Sequence, residues 1–294
     1  MGNLKFSAIV KISESGNSEF SARKVRGQQF DGLMDPVIGF DHFQLTKDVF
    51  GAHPHAGMSA VSYLFEDSAP YHNLDSIGTD IVITPGSLMW TWSGRGVVHT
   101  EFPVPDGAKV HGLQLFVNIP AIKKQQRPQS IFVENNAIPE WDQEGISVRV
   151  VTGNTGHLAH PVELPDAFTF LHIFLAQGKT FIHNMPATWN ATIYTISGNA
   201  AFENESSDEY RDLDFQTVMC VGSSDHDEVL KFTAKTECQI VLLSGLPLRE
   251  EIFSAGAMAM GSAEELRKAQ ADFTAGRLGF IEVDGQTRKV ILPI

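Results

Sequence analysis

Cysteine is nearly absent from this chain: Cys220 and Cys238 are the only two among 294 residues. Two thiols cannot supply a disulfide framework for a chain of this size, so a hydrophobic core must hold the fold, and a reducing, cytoplasmic setting is expected. Long apolar runs are also missing. No uncharged stretch approaches the roughly 18 residues that a membrane-spanning helix needs. The opening Met-Gly-Asn-Leu-Lys-Phe-Ser lacks a basic segment followed by an apolar one, so no secretion signal is expected. Phe6 stands where a myristoylation signal wants Ser or Thr, so Gly2 is expected to carry no lipid. Positive charge is the third scarcity. With 22 Lys+Arg against 35 Asp+Glu the net charge is −13, which argues against direct binding to nucleic-acid phosphates. A local basic patch, Lys123-Lys124 with Arg127, reads as a solvated loop.

Helical periodicity is scarce as well, and what replaces it is alternation. Hydrophobic content of 43% and charged content of 19% describe a soluble globular chain long enough for two cores. Val61, Tyr63 and Phe65 alternate, as do Leu113, Leu115 and Val117, while Asp80–Thr84 and Leu88–Trp92 are short apolar runs. Pro85-Gly86 suits a type II turn between them. Many short strands punctuated by Gly and Pro mean a β-sandwich or barrel. From Ile119 to Trp141 the composition shifts to Lys, Gln, Pro and Asn, which reads as the crossing between domains at 1–140 and 141–294. A second β series then runs from Ser147 to Ser244, a weak internal duplication, with Gly198-Asn199 read as a hairpin turn. One helix stands out. Ser262-Ala-Glu-Glu265 is a capping box, Leu266, Ala269 and Phe273 form one stripe, and Gly276 is the stop.

The chemistry is carried by two short patterns, His53-Pro-His55 and His99-Thr-Glu101. Residues i and i+2 of a strand share a face, so each pair projects together. If the two strands lie side by side, three imidazoles and one carboxylate converge into a metal site. Pro54 favours extended backbone at His53 and places that strand at an edge. Chance alone gives about 0.4 His-x-His pairs and about 1.3 His-x-Asp/Glu pairs in this composition, and a second of the latter occurs at His226-Asp-Glu228. The information therefore lies in both pairs occupying neighbouring strand-like segments. Such a ligand set suits Fe, Mn, Ni, Cu or Zn. Four-coordinate zinc would be structural, whereas six-coordinate iron would keep two open positions. Metal affinity is expected to fall below the ordinary histidine range near pH 6.5.

His53-Pro-His-Ala-Gly57, Asp75-Ser-Ile-Gly78, Pro85-Gly86 with Trp90, Gly94-Arg-Gly-Val-Val-His-Thr-Glu101, Gly112-Leu-Gln-Leu-Phe-Val-Asn118 and Leu246-Pro-Leu-Arg-Glu-Glu251 resemble the pirin family in order and spacing. The resemblance implies an all-β bicupin: two antiparallel cupin (jelly-roll) barrels packed face to face, the first holding a metal, with a short C-terminal helix. It implies that His53, His55, His99 and Glu101 ligate one divalent ion, iron first, with zinc, nickel, manganese and copper as alternatives. Some members cleave the flavonol quercetin with dioxygen, which makes Glu101 the expected general base. Others are regulators that bind a transcription factor or a metabolic enzyme, so a protein partner is the alternative to an aromatic substrate. The chain departs from the family pattern at Ala56, Met58 and Ser59-Ala60, where the usual Glu is lost and a charge near the site with it. It departs again at Trp92, expected to reshape the cavity mouth, and at Asn73-Leu74. His72, His111, Gln114 and His42 are read as ordinary polar residues or as support for the site. His172 is read as a core histidine. His183-Asn-Met185 lacks the second imidazole, so the second barrel is expected to be metal-free.

Overall fold

The computed structural model describes residues 4–156, 158–204, 209–222, 225–284 and 287–292; Gly2 lies outside them. Alternating apolar residues build strands almost throughout, and Ala263–Thr274 is the one α-helix among the described residues. None is long and apolar enough to cross a membrane. Cys220 and Cys238 are both free and buried.

The chain forms two compact units, and they are not two consecutive blocks. One comprises Glu14–Lys24, Gly39–Asn135 and Glu250–Ile294; the other comprises Met1–Ser13, Val25–Ile38 and Asn136–Arg249. The first strands, Lys5–Phe6 and Val10–Lys11, pair with Thr217–Gly222. The C-terminal arm instead belongs with the histidine-bearing barrel. Part of the stretch read as a crossing is barrel wall, since Gln129–Val133 pairs antiparallel with Leu88–Trp92.

The histidine-bearing barrel has two sheets. A seven-stranded sheet runs Gln129–Val133, Leu88–Trp92, Met58–Leu64, Val110–Asn118, Val37–Leu45, Phe20–Arg26, Glu14–Gly16. A four-stranded sheet runs His53–His55, Val97–Pro103, Tyr71–Asp75, Asp80–Ile83. Pro54 thus sits on an edge strand, where its missing N–H leaves no ladder bond unmade. Ala22, Phe43, Leu45, Leu64, Tyr71, Ile83, Met89 and Val110 make the core between them. Pro85-Gly86 makes the expected turn: Gly86 has φ +77° and the Ser87 N–H donates to the Thr84 carbonyl at 3.1 Å.

The second barrel packs an eight-stranded sheet with the sheet Thr180–Met185, Glu228–Ala234, Ala200–Asn204, Glu209–Leu213. Its interior is filled by apolar side chains, Phe181, Met185, Phe202, Leu230 and Phe232 among them. Gly198-Asn199 is not a hairpin turn. Asn190–Ser197 pairs with Thr217–Gly222 and Cys238–Gly245, whereas Ala200–Asn204 pairs with Glu209–Leu213 and Glu228–Ala234. The turn carries the chain from one sheet to the other, and a Cβ at Gly198 would lie 2.0 Å from the Glu237 carbonyl oxygen. The helix is capped as expected, with the Ser262 hydroxyl accepting from the Glu265 N–H at 3.2 Å. Ala269 is buried, but Phe273 is left exposed.

Candidate metal centre

The two histidine strands are antiparallel neighbours, with His99 opposite His53 and Val97 opposite His55. This register puts three imidazoles on one face. The Nε2 atoms of His55 and His99 are 2.9 Å apart and those of His99 and His53 are 3.1 Å apart. The ring centres are 4.6 Å (His53–His99), 4.6 Å (His55–His99) and 5.0 Å (His53–His55) apart. A divalent ion bonded at about 2.1 Å to each nitrogen would put ring centres about 4.6 Å apart at right angles and about 5.3 Å apart at the tetrahedral angle. The corresponding nitrogen spacings would be about 3.0 and about 3.4 Å. The two ring pairs that involve His99 match the right-angled spacing of an octahedral face, and the His53–His55 pair, at 5.0 Å, falls between the two geometries.

A second imidazole pair serves as an internal contrast. His42 and His111 approach Nε2 to Nε2 at 2.8 Å, yet their ring centres are 5.0 Å apart and their planes within 22°. Those rings lie end to end and share one proton rather than converging on a point. His111 in turn donates from Nδ1 to Asp67 at 2.7 Å. The His42 Nε2 is thus taken up by His111, and His72, paired with Asp80 at 2.6 Å, stands outside the three-histidine cluster.

The histidine strands are fixed from behind. The His53 Nδ1–H donates to the Gly51 carbonyl at 2.9 Å, which leaves the Nε2 lone pair facing its partners. Asp75, opposite His99, accepts from the N–H groups of Ile77 and Thr79 and from the Ser130 hydroxyl. Ser76 donates to the Leu278 carbonyl at 2.6 Å and accepts from the Val98 N–H at 3.0 Å. The Asp75-Ser-Ile-Gly78 motif is thus the brace beneath the His99 strand. Gly57, at φ +71°, lets the hairpin Phe253–Met260 approach: a Cβ there would lie 2.1 Å from the Ala259 carbonyl oxygen.

Burial keeps the imidazoles neutral. It pushes His55 down to about 3, with the neighbouring His53 adding to the effect, and it lowers His53 and His99 below the ordinary histidine value. Neutral imidazole is the ligating form. The loss of affinity expected near pH 6.5 is therefore displaced to more acidic pH as far as the histidines are concerned.

Glu101 is on the same strand face as His99 but is not part of the tight three-histidine cluster. Its carboxylate accepts from the Ser62 hydroxyl at 2.7 Å, and Ser62 is also 3.0 Å from the Gln114 Oε1. Burial raises Glu101 to about 7, against the lowering effect of Ser62.

His53, His55 and Glu101 open onto a cavity of about 200 Å³ walled by Phe20, Phe43, Leu45, Phe50, Tyr71 and Phe116. Asp41, Gln114 and Ala257 complete the lining. Neither Trp92 nor Ser59 reaches it. Along Met58–Leu64 Ser62 points into the barrel, so Ser59, three residues earlier, points away, and its lost charge is not at the site. Trp92 is buried against Gly94, where a Cβ would lie 2.9 Å from the indole. In the second barrel, buried His183 contacts only the Thr155 hydroxyl, at 3.2 Å, among the described polar contacts.

Two cupin-type barrels, one of them with three histidines that could hold a metal ion, define a bicupin class. The comparisons place the chain within it. Residues 20–117 match the Pirin family model and residues 170–279 match the model described as Pirin C-terminal cupin domain. Pirin from Homo sapiens is 31% identical over 95% of this chain and 96% of its own length. A pirin-like protein from Caulobacter vibrioides is 30% identical over 83% of this chain and 88% of its own. The chain belongs to the pirin family of the cupin superfamily. Among solved structures, quercetin 2,3-dioxygenase from Acinetobacter baumannii superposes with a TM-score of 0.82 at 21% identity, covering 95% of this chain and 99% of that one. Bacterial pirin YhhW from Escherichia coli, in complex with nickel(II), gives 0.62 at 12% identity, covering 83% and 100%.

Proposed function

We propose that this pirin is a metal-dependent dioxygenase of quercetinase type, with His53, His55, His99 and Glu101 holding one divalent ion, iron first. The observation that carries the reading is the convergence of three imidazoles, with the two pairs at His99 at right-angled spacing, beside an aromatic-walled cavity. Three ligands at right angles leave the remaining positions of an octahedron for the carboxylate and for small molecules, whereas a closed tetrahedral site would leave none. Bound iron would supply the one-electron chemistry that dioxygen reactions require.

The protein's own contribution follows from the lining. Phe20, Phe43, Phe50 and Phe116 offer faces and edges for a planar aromatic molecule and exclude water. No Lys or Arg is among the lining residues, while Asp41 and Glu101 are. Apart from the ion itself, a small anionic acid would find no cationic side chain among these lining residues, whereas the aromatic walls offer stacking surface to a hydroxyl-bearing aromatic such as a flavonol. Where Glu101 swings partly free of the ion it accepts the substrate hydroxyl proton, and Ser62, whose hydroxyl it accepts from at 2.7 Å, keeps the carboxylate oriented.

The test is aerobic incubation of iron-loaded protein with quercetin, following flavonol absorbance and oxygen uptake together. Equimolar consumption of both supports the reading. A metal-loaded protein that leaves both untouched would favour the alternative, a metal-dependent regulatory protein with a transcription factor or a metabolic enzyme as partner.

A further inference from the structure

The hairpin Phe280–Asp284 with Thr287–Ile291 returns to the histidine-bearing barrel from the end of the chain. Its Arg288 makes two contacts there. The guanidinium donates to the Asp48 Oδ2 at 2.8 Å and lies 3.5 Å from the Phe102 ring centre. The side chains of Arg288 and Asp48 are 15% and 22% exposed, so solvent screens this pair less than a surface pair. The other oxygen of Asp48 accepts from the Gly51 N–H at 2.8 Å. Gly51 is the residue whose carbonyl holds the His53 Nδ1–H. Residues 46–52 have no regular secondary structure, and Gly51 stands at φ +60° with nothing within 4 Å of where a Cβ would sit. The carbonyl that orients His53 is therefore carried by a turn whose Phe50 ring packs on Phe20 at 5.0 Å and whose backbone at Gly51 is pinned through Asp48.

We propose that Arg288 is a positioning residue for the metal centre: through Asp48 and the Gly51 turn it fixes the ring of His53, with Phe102 as the platform that keeps the guanidinium in place. The proposal rests on reading His53 as a ligand. It differs from a general packing role because the chain of contacts ends on one ring nitrogen. Outer partners of a ligating histidine typically change metal affinity by about 10–100-fold when removed. Arg288 acts one residue further out, so the lower end applies.

The experiment compares full-length wild type, Arg288→Ala, Arg288→Lys and Lys289→Ala, whose exposed side chain lies on the opposite face of the same strand. Two quantities are read: nickel(II) affinity by competition with a chromophoric chelator, and amide hydrogen exchange of Gly51 in the metal-free protein. Arg288→Ala is expected to weaken nickel binding about tenfold and to speed Gly51 exchange by about the same factor. Arg288→Lys keeps the charge opposite Asp48 and should recover most of both; Lys289→Ala should change neither. Wild-type values in Arg288→Ala would overturn the proposal, as would equal losses in Lys289→Ala, which would mark a general loosening of the hairpin. A wild type that holds no nickel would fail the metal-centre reading instead, and Gly51 exchange would then decide the positioning role by itself.

Discussion

Lys124 offers a sharp test of the packing behind the candidate centre. Its side chain has no exposed surface, and its Nζ donates to the Gly57 carbonyl at 2.7 Å, the Asn118 Oδ1 at 2.6 Å and the Ala259 carbonyl at 2.7 Å. The three donors of an ammonium meet three acceptors, and these tie the backbone after His55 to the hairpin Phe253–Met260. Lys124→Met keeps most of the stem volume and removes every donor. Each buried acceptor left unpaired costs about 1–3 kcal/mol. Relief of the ammonium's own burial offsets part of that, so a net loss of about 3–5 kcal/mol is expected, as when one partner of a buried charged contact is deleted. For a unit of this size each kcal/mol lowers the midpoint by about 2–4 °C, giving a fall of about 10 °C. Urea denaturation at neutral pH and a thermal scan of the metal-free protein measure both figures. The acceptors include two backbone carbonyls that no side-chain change removes, so an apolar replacement cannot be neutral here. A loss below about 1 kcal/mol, under the cost of even one unpaired acceptor, would refute the reasoning.

Other outcomes follow from the same structure. Burial lowers His172 to about 3 and His183 to about 4, so the folded protein resists protons that the unfolded chain accepts near 6.5; this stability is complete above that value and is lost as pH falls through it. Between pH 8 and pH 5 each should cost about 2 kcal/mol, read by urea denaturation at both pH values, and His172→Gln should remove its share. Glu101 is raised to about 7 while the imidazoles are lowered, so nickel affinity should begin to weaken as pH drops through about 7, and Glu101→Gln should abolish that step while leaving the acid step of the histidines. Gly57→Ala should destabilise by about 3 kcal/mol or more in chemical denaturation, since positive φ and the Ala259 carbonyl both oppose a Cβ.

The period-two spacing of His53, His55 and His99 made the cluster legible, because strand geometry alone puts such pairs on one face. The same rule placed Glu101 on that face but could not reveal that Ser62 holds its carboxylate. It also marks the errors. Ser59 and Trp92 are close to the site in sequence but have the wrong parity. Gly198-Asn199 carries the composition of a hairpin, and only the partners of the flanking strands show that it links two sheets. Lys124 lies in a stretch of Lys and Gln that reads as solvated, and it is buried because acceptors from two distant segments join that of nearby Asn118 around it. Arg288 and Asp48 are 240 positions apart, a distance that no local pattern spans.

X-ray absorption at the metal edge of iron- or nickel-loaded protein, together with metal analysis, tests the central claim most directly. The expected spectrum shows one ion per chain, six-coordinate, with an imidazole contribution from three histidines at about 2.1 Å that drops to two in His53→Ala. A four-coordinate ion, or a spectrum unchanged by that substitution, would contradict it.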